Sequence, residues 1–136
     1  DLELNGFAPD VCKWQQADVF DYLRQAREAG DTYDLIILDP PKFASSHYHV
    51  DRAARAYKDI NLNGLRLLRA GGQLLTFSCS GAIDTDLFQK IVAGAVIDSR
   101  RQAWALSRFG AGVDHPLLMT FPEGEYLKGL HLKLCD

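Results

Sequence analysis

Several features that would assign a protein class are absent from this sequence. No apolar run approaches the ~20 residues that a membrane-spanning helix needs, and the first residues, Asp1 to Asn5, do not resemble a signal peptide. The net charge is −3, so no global basic field favours nucleic acid or an acidic membrane surface. We therefore predict no membrane association, and any contact with nucleic acid must come from a local basic face or from another domain.

Cysteine is scarce and unpatterned. Cys12, Cys79 and Cys135 are odd in number and include no Cys-x-x-Cys pair. This spacing excludes a zinc-finger type of site and disfavours a disulfide framework. We predict no metal site and a reducing, cytoplasmic setting.

Glycine-rich phosphate-binding motifs are also missing, since neither a dinucleotide fingerprint nor a P-loop occurs. The chain does not begin with Met, so we expect it to come from a longer protein. Its 136 residues are enough for one domain or part of one. A complete doubly wound domain would need another strand–loop–helix unit before residue 1.

The pattern that is present alternates strands and helices. In the helix before the first central strand, Asp21 is expected to cap the N-terminus or to interact favourably with the helix dipole, and Gly30 suits the position after the helix end. Gly71–Gly72 should end the long helix. The polar stretch Ala44–His49 is expected to be mobile. The predicted elements are strand Val11–Ala17, helix Asp18–Ala29, strand Asp34–Leu38, helix Asp51–Arg69, strand Gln73–Ser78, helix Asp84–Ile97, and strands Gln102–Arg108 and Tyr126–Leu134.

This order predicts an α/β fold with a mostly parallel sheet and a terminal antiparallel hairpin. The first strand, Val11–Ala17, would normally pair with a strand outside this sequence. We expect it to be unpaired, displaced or matched with another chain, and an open edge of this kind favours self-association.

The central feature is the strand Leu35–Leu38, which runs directly into Asp39-Pro40-Pro41-Lys42-Phe43. Four aliphatic residues in succession are typical of a strand buried on both faces. The two prolines forbid helix and ladder pairing beyond Asp39, so a carboxylate lies at the carboxyl end of a central strand. Ligands bind at that edge in open α/β sheets, although Asp-Pro is also common turn chemistry.

A second strand ends in the same way at Ser78-Cys79-Ser80. Adjacent parallel strands would place Cys79 beside Asp39, where a thiolate can act as a nucleophile. Free cysteines are usually inert and buried, which is our interpretation for Cys12 and Cys135. No histidine lies near Cys79 in sequence to serve as its base.

Other candidates are weaker. Asp18 lies at a strand end but is best explained as a helix-start carboxylate. Arg52, Arg55 and Lys58 lie on one helix surface and are expected to be solvated unless the site takes nucleic acid. The remaining candidates are three histidines that show no metal-ligand arrangement: His47, His49 and His115. His115 is expected to make a loop hydrogen bond or to line the cleft.

Four segments in order resemble one family. They are Leu38-Asp39-Pro40-Pro41-Lys42-Phe43, Ser78-Cys79-Ser80, Asp114-His115-Pro116 and Glu125-Tyr126-Leu127-Lys128-Gly129. Together they are similar to the catalytic domain of the 5-methylcytosine methyltransferases of large-subunit (23S) ribosomal RNA. The resemblance implies a Rossmann-like class I methyltransferase fold, of which residues 1–136 are a part that lacks the N-terminal strand–loop–helix unit.

The same resemblance implies S-adenosylmethionine as cofactor and ribosomal RNA as substrate. It makes Cys79 the nucleophile and Asp39 a contact to the target cytosine, and it places Asp18 against the adenine of the cofactor. Val19, Asp39 and Pro40 would complete the cofactor contacts. The implied substrate contacts are Pro41, Lys42, Phe43 and His115.

Two alternatives remain open. Amino-group methylation of a nucleobase would need Asp39 and the proline pair but no thiol. A truncated fragment that folds and binds nothing would need none of these residues. Cys79 distinguishes the first alternative from methylation of carbon 5, because attack on a pyrimidine ring requires a nucleophile.

Overall fold

The structure, a computed structural model, describes residues 1–43, 49–121 and 126–136. Short 3₁₀ turns at Glu3–Asn5 and Pro9–Val11 precede the regular elements. The helices are α1 (Val19–Glu28), α2 (Val50–Leu67) and α3 (Thr85–Asp98), and the strands are β1 (Tyr33–Leu38), β2 (Leu68–Ser78), β3 (Ala103–Phe109) and β4 (Lys128–Leu134).

The four strands form one mixed sheet in the order β1-β2-β4-β3. β1 and β2 are parallel, with Leu38 opposite Thr76, whereas β4 is antiparallel to both of its neighbours. The α/β class and the terminal hairpin of β3 and β4 are confirmed. β4 lies between β2 and β3, so one of the three strand pairs is parallel.

One face of the sheet carries the core. Alternate residues of β2 and β4 point to this face, and α2 and α3 cover it with apolar side chains. The predicted alternation of Leu130, Leu132 and Leu134 is confirmed, because all three are buried. The largest buried apolar side chains are Tyr57, Ile60, Leu65, Leu67, Leu74, Ile83, Phe88 and Val92.

The prediction that β1 is buried on both faces is wrong. Leu35 is 49% exposed and Ile37 is 60% exposed, whereas Leu38 on the other face is buried. β1 is an edge strand in the described sheet, which explains why Leu35 and Ile37 remain exposed.

The predicted strand Val11–Ala17 does not form. Val11 ends a 3₁₀ turn, residues 12–17 have no regular structure, and Trp14 is 82% exposed. A strand needs ladder hydrogen bonds from a neighbour, and the described residues supply none here.

The predicted helix end at Gly71–Gly72 is also wrong, because both glycines lie within β2. α2 ends at Leu67, where Leu68 turns to extended backbone. The Arg101 guanidinium donates hydrogen bonds to the carbonyl oxygens of Leu65 and Leu68, which satisfies acceptors at the helix end. This contact comes from more than 30 residues away, so the local sequence does not reveal it.

None of the helices in the described ranges has the length and apolarity to cross a membrane. The stretch that was expected to be mobile, Ala44–His49, lies outside the described residues except for His49, which precedes α2.

Candidate active site

The carboxyl ends of β1 and β2 lie side by side because the two strands are parallel. Asp39 follows β1 directly, is exposed, and has no ion-pair or hydrogen-bond partner among the described residues. Pro40 is buried beneath it, while Pro41 and Lys42 are exposed. The carboxylate is therefore presented to solvent on a backbone anchored by a buried proline.

Phe43 anchors the loop after β1 to the helix layer. Its ring packs edge-on against Tyr57 with centroids 4.8 Å apart, and it lies 5.8 Å from the ring of Phe20 on α1. Tyr57 in turn packs edge-on against Phe88 on α3 at 6.0 Å. These contacts fix where the loop that carries Asp39 leaves the sheet.

Cys79 follows β2 and is half-buried between two buried serines. The Ser80 amide donates to the Ser78 hydroxyl at 3.3 Å, and the Ile83 amide donates to the Ser80 carbonyl at 3.2 Å. The turn that presents the thiol is thus closed by its own backbone and side chains.

The hydroxyl of Tyr57 is buried close to this turn. It makes no hydrogen bond of normal geometry within the described residues. Burial raises the pKa of Tyr57; proximity to the Ser78 hydroxyl partly offsets this rise, and charge on Cys79 adds to it. A buried hydroxyl without a hydrogen bond of normal geometry is unusual.

Lys128 is the functional candidate that sequence reasoning missed. It is 6% exposed, and its Nζ donates to the carbonyl oxygens of Ser80 at 2.6 Å and Ile83 at 2.5 Å. Burial lowers the pKa of Lys128, while negative charge on Cys79 and on Asp84 raises it. The sequence signal that could have identified Lys128 was its position two residues before Leu130, which places its side chain on the buried face of β4.

Asp18 caps α1, as the helix-start interpretation predicted, and Asp21 lies in the first turn, where its carboxylate interacts favourably with the helix dipole. The Oδ1 of Asp18 accepts hydrogen bonds from the amides of Phe20 and Asp21 at 2.9 and 3.1 Å. Oδ2 has no hydrogen bond in the described part of the chain. The adjacent Val19 lines an apolar groove of about 290 Å³ together with Tyr33, Leu35 and Ile37.

His115 lies in the exposed loop between β3 and β4. Its Nδ1 is 3.3 Å from Asp114 Oδ2, and a hydrogen bond from the His115 side chain lowers the pKa of Asp114. The His115 amide donates to Gly112 on the same loop. The expected loop hydrogen bond is present, and no hydrogen bond or ion pair in the described ranges joins His115 to Asp39 or Cys79.

The basic residues of α2 do not act as one patch. Lys58 pairs with Asp98 of α3 at 2.7 Å, while Arg52 and Arg55 are exposed. Among described residues, no group of three His, Cys, Asp or Glu side chains could hold a metal ion. His47 lies outside the described residues.

The structure thus brings Cys79, Tyr57 and Lys128 together at the end of β2, with Asp39 on the adjacent strand end. A half-buried thiol beside a buried ammonium group, with an exposed carboxylate on the next strand, is an arrangement suited to nucleophilic chemistry on a polar ring.

The chain is similar to curated proteins named Ribosomal RNA large subunit methyltransferase I. It is 51% identical to the Shewanella amazonensis protein over 129 residues, 50% identical to that of Shewanella frigidimarina over 129, and 48% identical to that of Erwinia tasmaniensis over 128. These alignments cover 94–95% of this chain. The sequence is homologous to a segment of these methyltransferases. The chain spans about a third of the length of the curated relatives it matches. No protein-family model matches it.

Solved structures support the methyltransferase fold. SMU.776, described as a methyltransferase and complexed with SAH, aligns with a TM-score of 0.71 and 25% identity over 86% of this chain and 30% of its own. A Streptococcus mutans protein described as a SAM-dependent methyltransferase aligns with the same score and identity, and the match covers 29% of that protein. The fold class is therefore that of S-adenosylmethionine-dependent methyltransferases.

Proposed function

We propose that the full-length protein carrying this chain transfers a methyl group from S-adenosylmethionine to carbon 5 of a cytosine in 23S ribosomal RNA. One observation carries this proposal above all. The parallel pairing of β1 and β2 presents Asp39 and the half-buried Cys79 at neighbouring strand ends. The names of the relatives support a ribosomal RNA substrate, and we propose that the protein acts in the cytoplasm.

Residues at this edge fit the cofactor. Asp18 has a carboxylate oxygen that its capping role leaves unused, and Val19 lines the apolar groove next to it. With Asp39 and Pro40, these residues would hold S-adenosylmethionine, which supplies an electrophilic methyl group. Pro41, Lys42, Phe43 and His115 are proposed substrate contacts, and the partly buried Phe43 would act mainly by holding the loop in place.

The chemistry explains why a thiol is needed. Carbon 5 of cytosine is a weak nucleophile. The Cys79 thiolate forms a bond to carbon 6, which raises electron density at carbon 5 so that carbon 5 can accept the methyl group. Loss of the carbon 5 proton to a base then allows the Cys79–carbon 6 bond to break, and the thiolate is regenerated.

Asp39 would stabilise the covalent adduct. Its carboxyl group can hydrogen-bond the ring nitrogen or the exocyclic amine of the cytosine as charge develops there. The cytosine must leave the base stack to reach the strand ends, and the exposure of Asp39 makes it accessible to an unstacked base.

A covalent trap tests this function. The full-length protein would be incubated with cofactor and with 23S ribosomal RNA transcribed with 5-fluorocytidine, in which fluorine blocks the final elimination. We expect an RNA adduct that maps by mass spectrometry to the Cys79 peptide and disappears in Cys79→Ala. Cys12→Ala and Cys135→Ala are the controls and should retain the adduct.

Other outcomes would redirect the assignment. An adduct on Cys12 or Cys135, or near-normal methylation by Cys79→Ala, would remove Cys79 as the nucleophile. A methyl group found on an exocyclic amine would favour the amino-group alternative. Asp39→Asn should lower turnover more than cofactor affinity, with Asp31→Asn as a matched control.

A further inference from the structure

Lys128 is placed unusually for a charged residue. It opens β4 directly opposite Ser78, the residue before Cys79, and it points to the same face of the sheet as the buried Leu130 and Leu132. Lysine is almost never fully buried without a partner. We therefore expect the lysine to have a role at this position that an apolar side chain could not perform.

In the described residues, the side-chain hydrogen bonds of Lys128 go to the turn that follows Cys79. The Nζ donates to Ser80 O and Ile83 O, and Ser80 O also accepts from the Ile83 amide. These bonds join the start of β4 to the segment between β2 and α3. Cys79 lies between Ser78, which pairs with Lys128 in the β2–β4 ladder, and Ser80, which the Lys128 side chain holds.

Holding a turn does not by itself require a positive charge. Burying an ammonium group is costly, and two neutral carbonyls compensate it only in part. The electrostatic partners of Lys128 are Cys79 and Asp84. Lys128 contacts both sequence neighbours of Cys79, Ser78 through the strand pairing and Ser80 through the Nζ hydrogen bond, so its ammonium group lies next to the segment that carries the thiol.

We propose that Lys128 is a positioning residue for Cys79: it fixes the backbone that carries the thiol and places a positive charge where it stabilises the thiolate. This inference rests on the proposed role of Cys79 as nucleophile. It assigns Lys128 no contact with the substrate, and it accounts for the positive charge that an attacking thiolate needs.

Thiol alkylation distinguishes an effect of the Lys128 charge from a purely structural role of the Lys128 side chain. The full-length protein and its Lys128→Met, Lys128→Gln and Lys128→Arg variants would be treated with iodoacetamide at neutral pH. The alkylation rate of each cysteine would then be followed by peptide mass spectrometry, with the exposed Cys12 and Cys135 as internal references. We expect the Cys79 rate to fall about tenfold in Lys128→Met and Lys128→Gln and to be largely kept in Lys128→Arg.

A purely structural role would move the rate in the opposite direction. Loosening of the turn would expose the half-buried thiol and speed its alkylation. An unchanged or faster Cys79 rate in Lys128→Met would therefore overturn the inference. Should Lys128→Met fail to fold, Lys128→Gln decides the matter, because its amide keeps donors for the two carbonyls but lacks the charge.

The covalent trap with 5-fluorocytidine RNA tells the two proposals apart. If the wild-type protein traps RNA on Cys79 while the neutral Lys128 variants alkylate normally, the Lys128 inference fails and the proposed function stands. If no adduct forms on Cys79 but the neutral variants lose alkylation, the proposed function fails and the link between Lys128 and the thiol stands.

Discussion

Gly129 on β4 lies directly opposite Phe77 on β2, and a Cβ atom on Gly129 would come within 2.5 Å of the ring carbons Cδ1 and Cε1 of Phe77. The ring cannot move away freely, because it stacks on Phe109 with centroids 6.0 Å apart. The pair is adjacent to the Ser78–Lys128 pair. The close approach of β2 and β4 beside the candidate site thus depends on a residue without a side chain.

Gly129→Ala should therefore destabilise the protein. Overpacking of this kind costs about 1–3 kcal/mol, which urea unfolding would measure as a lower midpoint. Gly110→Ala is the matched control, because a Cβ there meets no atom within 4 Å. The double variant Gly129→Ala with Phe77→Ala should show a smaller loss than the two single losses summed. Equal stability of Gly129→Ala and the parent would contradict the contact.

Asp18 should contribute to stability through its cap. Asp18→Ala is expected to lower the free energy of unfolding by about 0.5–2 kcal/mol, whereas Asp18→Asn should lose much less, because asparagine is also a good N-cap. Asp84→Ala is a comparison on α3, where Asp84 accepts from the Leu87 amide at 2.7 Å. If Asp18→Ala unfolds at the same urea concentration as the parent, the Asp18 cap does not contribute to the free energy of unfolding.

Cofactor binding by residues 1–136 alone should be weak. The sequence contains no Gly-rich loop to approach the cofactor closely. Titration calorimetry of the 136-residue chain with S-adenosylmethionine should give no measurable heat at micromolar concentrations, with the full-length protein as the positive control. A micromolar dissociation constant for the 136-residue chain would disprove this expectation.

The open edge of the sheet should favour association of the 136-residue chain. The predicted Val11–Ala17 strand cannot mediate this association, since it does not form. β1 is one of the two edge strands of the described sheet and carries the exposed Leu35 and Ile37. We expect light scattering to show a mass that rises with concentration, and Ile37→Lys to shift it towards the monomer. Val113→Lys, at a fully exposed loop position, should change nothing. A wild-type chain that is monomeric throughout would refute this.

Local sequence was sufficient to predict the elements that depend on apolar periodicity or on the backbone restrictions of proline and glycine. The apolar run before Asp39 and the alternation around Leu130 predicted strands that the structure contains. Pro40 and Pro41 ended β1 where expected, and Gly30 follows α1 with a φ of +77°, as a C-terminal helix glycine should. These features follow from properties of a few neighbouring residues.

Tertiary contacts decided the remaining features. Residues 11–17 have strand-like composition but no described neighbour that supplies ladder bonds, and the distant Arg101 donates to the carbonyls of Leu65 and Leu68 at the end of α2. Lys128 became a candidate only when the antiparallel pairing of β4 with β2 brought it beside Ser80. The sequence alone determined that Asp39 and Cys79 each follow a strand, because apolar runs and chain breakers act locally. The fold alone decided what surrounds the thiol, because burial and charge proximity depend on residues about 50 positions apart.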